Sequence, residues 1–149
     1  VSVKEDVEAS TVDVTWKLAQ RADEALGDEV TLAFARPFGP MAQPFTVPAA
    51  SRRSPILFSA PYFEEVDLVV RWPDGWKTIA QPKATRTEGP AGLYLAEVTV
   101  DAAARTATFH RRFELRKKLF ASREDCDAVR TLFGDASKGD TLALVLAKP

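Results

Sequence analysis

The chain has few of the residues that build disulfides, metal sites and tight hairpin turns. Its 149 residues include one cysteine, one histidine and no asparagine. A single cysteine excludes an internal disulfide, and one cysteine with one histidine falls short of the ligand set of a zinc site. Without an Asn-Gly pair, Asp, Gly and Pro must form the turns. We therefore expect no metal, and no motif indicates a cofactor.

A charge excess and a long apolar segment are also missing. Lys and Arg number 20 against 21 Asp and Glu, which gives a formal net charge of -1. Nucleic-acid-binding domains usually carry a basic excess, and a membrane-spanning helix needs about 20 mostly apolar residues. The sequence thus predicts no nucleic acid partner and no membrane span. The first residue is not Met, and residues 1–4 lack the apolar core of a signal peptide, which favours a segment of a longer or processed polypeptide.

The sequence does contain a series of short strand signals. Apolar and polar residues alternate with a period of two, which is typical of strands with one buried face. No strand–helix–strand repeat appears, so we predict a mainly β chain, an antiparallel β-sandwich of about nine strands, as a single domain over residues 1–149. Residues 37–50 are rich in proline and are the only plausible internal boundary. The clearest alternating segments are residues 11–18, 30–34, 62–72, 94–100 and 106–120.

A turn signal at Pro73-Asp74-Gly75 follows the strand-like segment 62–72. It predicts an antiparallel hairpin in which Trp72 and Trp76 lie nearly opposite one another. The two rings would form either a buried cross-strand pair or an exposed platform that stacks on a sugar or a partner's side chain. In the second case, Tyr94 would belong to the same surface.

Residues 93–119 predict a second hairpin, and its later strand carries the only basic cluster in the sequence. Arg111 falls on the apolar face of that strand, which indicates either a bulge or a position near the edge of the sheet. The cluster is either a solvated charged face or a surface for an anionic partner, such as a polysaccharide, a lipid surface or an acidic domain. Arg112, Arg116 and Lys118 are the candidates for that surface.

The clearest helix signal lies near the end of the chain, at about residues 122–133, before a final strand at 141–147. Ser122 is a candidate N-cap, and Asp125 three residues later resembles a capping box. Gly134 supplies a stop signal. The apolar stripe of the helix should cover a face or an open end of the sandwich. It consists of Cys126, Val129, Leu132 and Phe133.

No set of residues in the sequence predicts catalysis. Cys126 and His110 are the one pair that could suggest thiol chemistry, but the cysteine lies on the apolar stripe and the histidine on the polar face of a strand. They are best interpreted as a core cysteine and a surface histidine. Glu124, Asp125 and Asp127 lack the spacing of a calcium loop and are typical of a charged helix start.

Several weak motifs follow one another in a characteristic order over residues 51–149. They are Ser54-Pro55-Ile56, Tyr62-Phe63-Glu64-Glu65, the 72–76 turn, the 93–119 hairpin and the 122–146 ending. In this order they resemble the uncharacterised C-terminal β-domain of bacterial transglutaminase-like proteins. The resemblance implies that a Cys/His/Asp catalytic set lies upstream, in a papain-like core, and that the setting is periplasmic or at the cell surface. Cys126 departs from the family, whose helices often carry an aromatic residue such as Tyr at that position.

The leading hypothesis is therefore a non-catalytic accessory domain, not an enzyme, whose partners are other domains of the same polypeptide, above all the transglutaminase-like core. The alternative is a glycan-binding β-sandwich module that uses exposed Trp and Tyr rings to bind cell-wall saccharides. Exposure of Trp72 and Trp76 would distinguish the two. A small hydrolase is a third and weaker hypothesis, because the only histidine has no catalytic partner in the sequence.

Overall fold

The computed structural model describes residues 2–6, 11–15, 27–34 and 54–148. Within these ranges the chain forms eleven antiparallel strands and one helix. Nine of the strands have four residues or more, which confirms the predicted mainly β fold of about nine strands. The predicted boundary at 37–50 lies outside the described residues, as does the end of the first predicted strand after Thr15.

The strands and the helix follow one another in the order expected of a β-domain that ends in strand, helix, strand. In chain order they are β1 (Ser2–Asp6), β2 (Thr11–Thr15), β3 (Glu29–Ala33), β4 (Ile56–Leu57), β5 (Tyr62–Arg71), β6 (Lys77–Ala80), β7 (Thr85–Gly89), β8 (Gly92–Asp101), β9 (Thr106–Leu115), β10 (Leu119–Phe120), α1 (Arg123–Gly139) and β11 (Ala143–Ala147).

The larger sheet has four strands in the order β5-β9-β8-β7. β8 and β9 form the predicted hairpin, paired without interruption from Gly92 opposite Leu115 to Asp101 opposite Thr106. The side chains of β9 alternate between a buried and a more exposed face as predicted, because every second side chain is buried. The predicted strand 106–120 is shorter than expected, since it ends at Leu115 and resumes only as the two-residue β10, which pairs with β4.

A smaller sheet, in the order β3-β11-β6, packs on the larger one. Phe34, just after β3, stacks on Phe109 of β9 with ring centroids 5.3 Å apart. Leu144 and Leu146 of β11 are buried in the same apolar core as Phe109 and Phe113 of β9. Two apolar faces therefore meet between the sheets, which is the arrangement of a β-sandwich.

The predicted hairpin around residues 73–75 is wrong in its pairing. The turn is present, and Gly75 has the positive φ of 85° that glycine tolerates. However, β5 pairs with β9, and β6 pairs with β11 in the other sheet. The chain thus changes sheets at this turn, and Trp72 and Trp76 turn into the core instead of facing one another across a ladder.

The helix begins where the sequence predicts but ends later. Ser122 is the N-cap, and its side chain accepts a hydrogen bond from the Asp125 amide at 3.0 Å. Gly134 does not stop the helix, which continues through Ala136, a fully buried residue, to Gly139. Burial of this extra turn against the sheet outweighs the cost of a mid-helix glycine, about 1 kcal/mol relative to alanine. Among the described helical residues, no segment is long and apolar enough to cross a membrane.

Both alternatives for Arg111 are wrong, because it lies without a bulge in β9, between β5 and β8. Its guanidinium is fully buried and bonds to two carboxylates, Asp140 at the end of α1 and Glu64 on β5. The Nε–Oδ1 distance to Asp140 is 2.6 Å, and the Nη1–Oε1 distance to Glu64 is 2.9 Å. A buried arginine is tolerated when it is paired in this way.

Candidate functional site

The three aromatic residues of the predicted platform are buried, so the exposed stacking surface is not present. Trp72 is 5% exposed, Trp76 8% and Tyr94 0%. The two tryptophan rings pack in the core because the chain passes from one sheet to the other at residues 73–75. The Tyr94 ring packs there because it lies on the inner face of β8. The buried interpretation of the two tryptophans is therefore the correct one, although they are not a cross-strand pair.

Tyr94 belongs to the buried polar network around Arg111. Its hydroxyl donates a hydrogen bond to Asp140 Oδ1 at 3.1 Å, and the Arg111 guanidinium lies 5.5 Å from its ring centroid. Burial, and then the neighbouring Asp140 carboxylate, raise the pKa of Tyr94 well above its usual range. The hydroxyl therefore stays protonated as a donor, and the network ties the end of α1 to the sheet.

Trp72 and Trp76 are among the residues that line a surface pocket of about 470 Å³. Gln81 on its wall is held by a hydrogen bond to the Val98 carbonyl at 2.7 Å. The Lys148 ammonium lies 5.0 Å from the Trp76 ring centroid. Among the described residues that line the pocket, none is a carboxylate, a histidine or a thiol, and Lys77 and Thr78 are its ionisable and hydroxyl groups. The lining residues are Trp72, Trp76, Lys77, Thr78, Ile79, Ala80, Gln81, Val100 and Ala102.

The predicted basic surface is only partly assembled. Arg112 and Arg116 line the same shallow groove, of about 390 Å³, whereas Lys118 is exposed beyond it. Both arginines pair with Glu114, at 3.5 Å from Arg112 Nη2 and 3.2 Å from Arg116 Nε. Arg116 also pairs with Glu88 at 3.2 Å. The positive charge of the groove is therefore largely balanced by carboxylates of the same domain.

The pKa values reflect this pairing. Hydrogen bonds from Arg86 and then from Arg116 lower the pKa of the Glu88 carboxyl. Conversely, hydrogen bonds to Glu88 and Glu114 raise the pKa of Arg116. The lowered pKa of Glu88 and the raised pKa of Arg116 both favour the charged forms, so the groove offers a mixed-charge rim and not a strongly basic patch.

Four exposed apolar side chains lie at the start of β5 or in the short β4–β10 pair, whose strands precede β5 and follow β9 in the chain. Leu57 and Leu119 are partners in the short β4–β10 pair, and Leu57 is 70% exposed. Tyr62 and Phe63 open β5 and line the groove itself. The Arg112 guanidinium lies 5.2 Å from the Phe63 ring centroid. We name this surface, formed by Leu57, Tyr62, Phe63 and Leu119, the apolar end patch.

Cys126 and His110 lie in different environments. The Cys126 thiol is buried and donates to the Phe120 carbonyl, with the sulfur 3.4 Å from the oxygen. His110 lies on the outer face of the larger sheet, where its Nδ1 is 2.7 Å from Asp67 Oδ1. The thiol faces the core and the imidazole faces solvent, so the two do not form a catalytic pair.

The structure brings together one group that sequence reasoning missed. Glu65 and Asp67 on β5 converge on His110 of β9, with one ligand atom from each within 4.8 Å of the others. The pairing of β5 with β9 places Asp67 directly opposite His110. In the sequence, Glu65 and Asp67 lie two residues apart and so share one face of a strand. This spacing indicates a site with His110 only when β9 is known to be the strand that pairs with β5.

The acidic start of the helix forms no calcium loop. Asp125 pairs with Lys117 at 2.6 Å, and its backbone amide is capped by Ser122. The hydrogen bond from Lys117 lowers the pKa of the Asp125 carboxyl. Asp127 lies 4.0 Å from Arg123, one turn away on the same helix. These carboxylates therefore serve the helix start and its ion pairs.

Comparison with known proteins adds a family and a fold. The family model of DUF3858, a domain of unknown function with a solved structure, matches residues 32–146. Among solved structures, the chain resembles a "putative protease" from Parabacteroides distasonis with a TM-score of 0.57 and 18% sequence identity. The similarity covers 85% of this chain but only 25% of that one, and at this identity it shows the fold alone. No curated protein matches the chain.

Proposed function

The chain belongs to the DUF3858 family, and we propose that it is a non-catalytic accessory domain that docks on another domain of a longer polypeptide. The observation that carries this proposal is the apolar end patch. Leu57, Tyr62, Phe63 and Leu119 are exposed, and Tyr62 and Phe63 line a groove with a charged rim. Exposed apolar side chains with a polar rim are typical of protein interaction surfaces.

The occupant that we propose is a transglutaminase-like core in the same polypeptide. The structural neighbour is about four times as long as the matched region, which leaves room for such a core in proteins of this kind. A papain-like transglutaminase and a cysteine protease share the attack of a thiolate on an amide carbonyl, so a protease name fits such a core. With the core exported, the domain would work in the periplasm or at the cell surface.

The chemistry within this chain also favours a binding role. His110 lies on the outer face of the larger sheet, whereas Cys126 is buried against a backbone carbonyl, so these two residues do not form a catalytic pair. The glycan-binding alternative loses its support, because it required exposed rings and Trp72 and Trp76 are buried. A docking role requires only the apolar end patch and the charged rim of the groove, which includes Arg112 and Arg116.

The test compares hydrogen exchange in this chain alone and in the longer polypeptide. We expect added protection over residues 56–63 and 115–120, which form the patch, because docking removes them from water. Leu119→Glu should abolish that protection, because it replaces an apolar contact worth about 1.5–3 kcal/mol with a charge. Val69→Glu is the matched control, since Val69 is an exposed apolar residue on β5 outside the patch. Equal exchange in the two contexts would disprove docking at this surface.

A further inference from the structure

We propose that His110 and Glu65 bind a divalent transition-metal ion of the zinc type on the outer face of the larger sheet, with Asp67 as the positioning residue. His110 lies on β9, an interior strand of the four-stranded sheet, and its position is set by continuous pairing with β5 on one side and β8 on the other. Asp67 lies directly opposite it on β5 and Glu97 directly opposite it on β8.

The two ring nitrogens of His110 meet different partners. Nδ1 lies 2.7 Å from Asp67 Oδ1, and because an ionised carboxylate can only accept, Nδ1–H is the donor of this hydrogen bond. This bond selects the tautomer whose free lone pair is on Nε2. A carboxylate behind a histidine is the usual device that orients a metal-binding imidazole and increases its basicity.

The second ring nitrogen, Nε2, lies near the Glu65 carboxylate at a distance that suits a shared ion. Nε2 lies 3.9 Å from Glu65 Oε1, which is too far for a hydrogen bond. Zinc binds imidazole nitrogen at about 2.0–2.1 Å and carboxylate oxygen at about 2.0–2.2 Å, so two ligands of one ion lie within about 4 Å of each other. An ion between Nε2 and Oε1 therefore fits with little movement.

The surrounding charges favour a cation at this place. Glu65 and Asp67 place two carboxylates within 4.8 Å of the imidazole, and Glu97 lies opposite His110 on β8. Arg112, the cation opposite Glu65, is engaged by Glu114 at 3.5 Å and lies over the Phe63 ring. An imidazole with carboxylates selects zinc, cobalt or nickel over calcium and magnesium, which prefer all-oxygen sites. Water completes the coordination, so the ion is exchangeable.

The site can be tested cleanly because His110 is the only histidine in the chain. Zn²⁺ is titrated at pH 7 into the 149-residue protein by calorimetry, and the ring nitrogens are followed by ¹⁵N NMR. We expect one ion per chain and a shift at Nε2 larger than that at Nδ1. His110→Gln and Glu65→Gln should each weaken binding at least tenfold, and Asp67→Asn should weaken it about 10-fold, as is usual for residues behind a metal-binding histidine.

Glu124→Gln is the matched control, because it removes one exposed carboxylate at the helix start and should leave zinc affinity unchanged. Thermal unfolding of each variant confirms that the sheet is intact. Undiminished zinc binding in His110→Gln, calcium binding as tight as zinc binding, or no heat and no ring shift up to millimolar zinc would each overturn the proposal. Unchanged affinity in Asp67→Asn would overturn the positioning role of Asp67.

Discussion

Replacing Arg111 by Met tests whether the buried ion network holds the end of the helix on the sheet. Arg111 donates to both oxygens of Asp140, at 2.6 Å and 3.3 Å, and to Glu64 at 2.9 Å. The Arg111→Met variant keeps the volume of the side chain but leaves Asp140 buried beside the Tyr94 hydroxyl without its cation. Removing one partner of a buried ion pair costs about 3–5 kcal/mol, so we expect that loss in the free energy of unfolding.

The position of Asp140 adds to this expectation. It caps the C-terminal end of α1, where the helix dipole disfavours a negative charge. Asp140→Asn in the Arg111→Met background should therefore recover part of the loss. A double-mutant cycle between residues in contact should give a coupling of about 0.5–3 kcal/mol.

Urea denaturation at pH 7, followed by tryptophan fluorescence, measures these differences. Arg112→Met is the matched control: it changes the neighbouring residue on β9, which is part-exposed and pairs with Glu114 at 3.5 Å. Such a pair contributes about 1 kcal/mol or less. The reasoning is refuted if Arg111→Met costs no more than Arg112→Met, or if the two substitutions in the Arg111–Asp140 pair are simply additive.

Three further predictions concern the helix and its ends. Gly139→Ala should lower the free energy of unfolding by about 1–3 kcal/mol, despite the better helix propensity of alanine, because a Cβ there would overlap the Tyr94 ring; urea melts would show it. Ser122→Ala should cost about 1 kcal/mol through loss of the N-cap, and an unchanged urea midpoint would contradict the cap. Lys117→Met should raise the Asp125 pKa, followed by ¹³C NMR, toward its ordinary value near 3.9. Because the folded-state pKa of Asp125 is lowered, its ionised carboxylate stabilises the fold above the ordinary pKa. This stabilisation is lost as pH falls through the folded-state pKa. The free energy of unfolding of Lys117→Met should therefore lack this dependence on acid pH.

Much of the local structure was predictable because it depends on residues close in sequence. Alternation predicted β3, β8 and β9, and the short connection between β8 and β9 predicted their hairpin. Ser122 predicted the start of the helix, since an N-cap acts within one turn.

The end of the helix was not predictable in the same way. Gly134 is a local stop signal, but packing of Ala136 and Gly139 against the sheet extends the helix past it. Tertiary burial thus overrode a propensity of about 1 kcal/mol. The candidate sites show the same limit, since Trp72 and Trp76 are aromatic in any context, and only their burial removes them as a sugar platform.

The sequence by itself determined that this protein is a mainly β domain with a capped helix before its last strand, because period-two alternation and capping are properties of neighbouring residues. Only the tertiary structure decided that β6 pairs with β11 and not with β5. It also decided that Arg111 is buried against Asp140 and that Asp67 lies opposite His110. Each of these depends on which strand lies beside which. That choice is made by the burial of whole faces and not by any one segment.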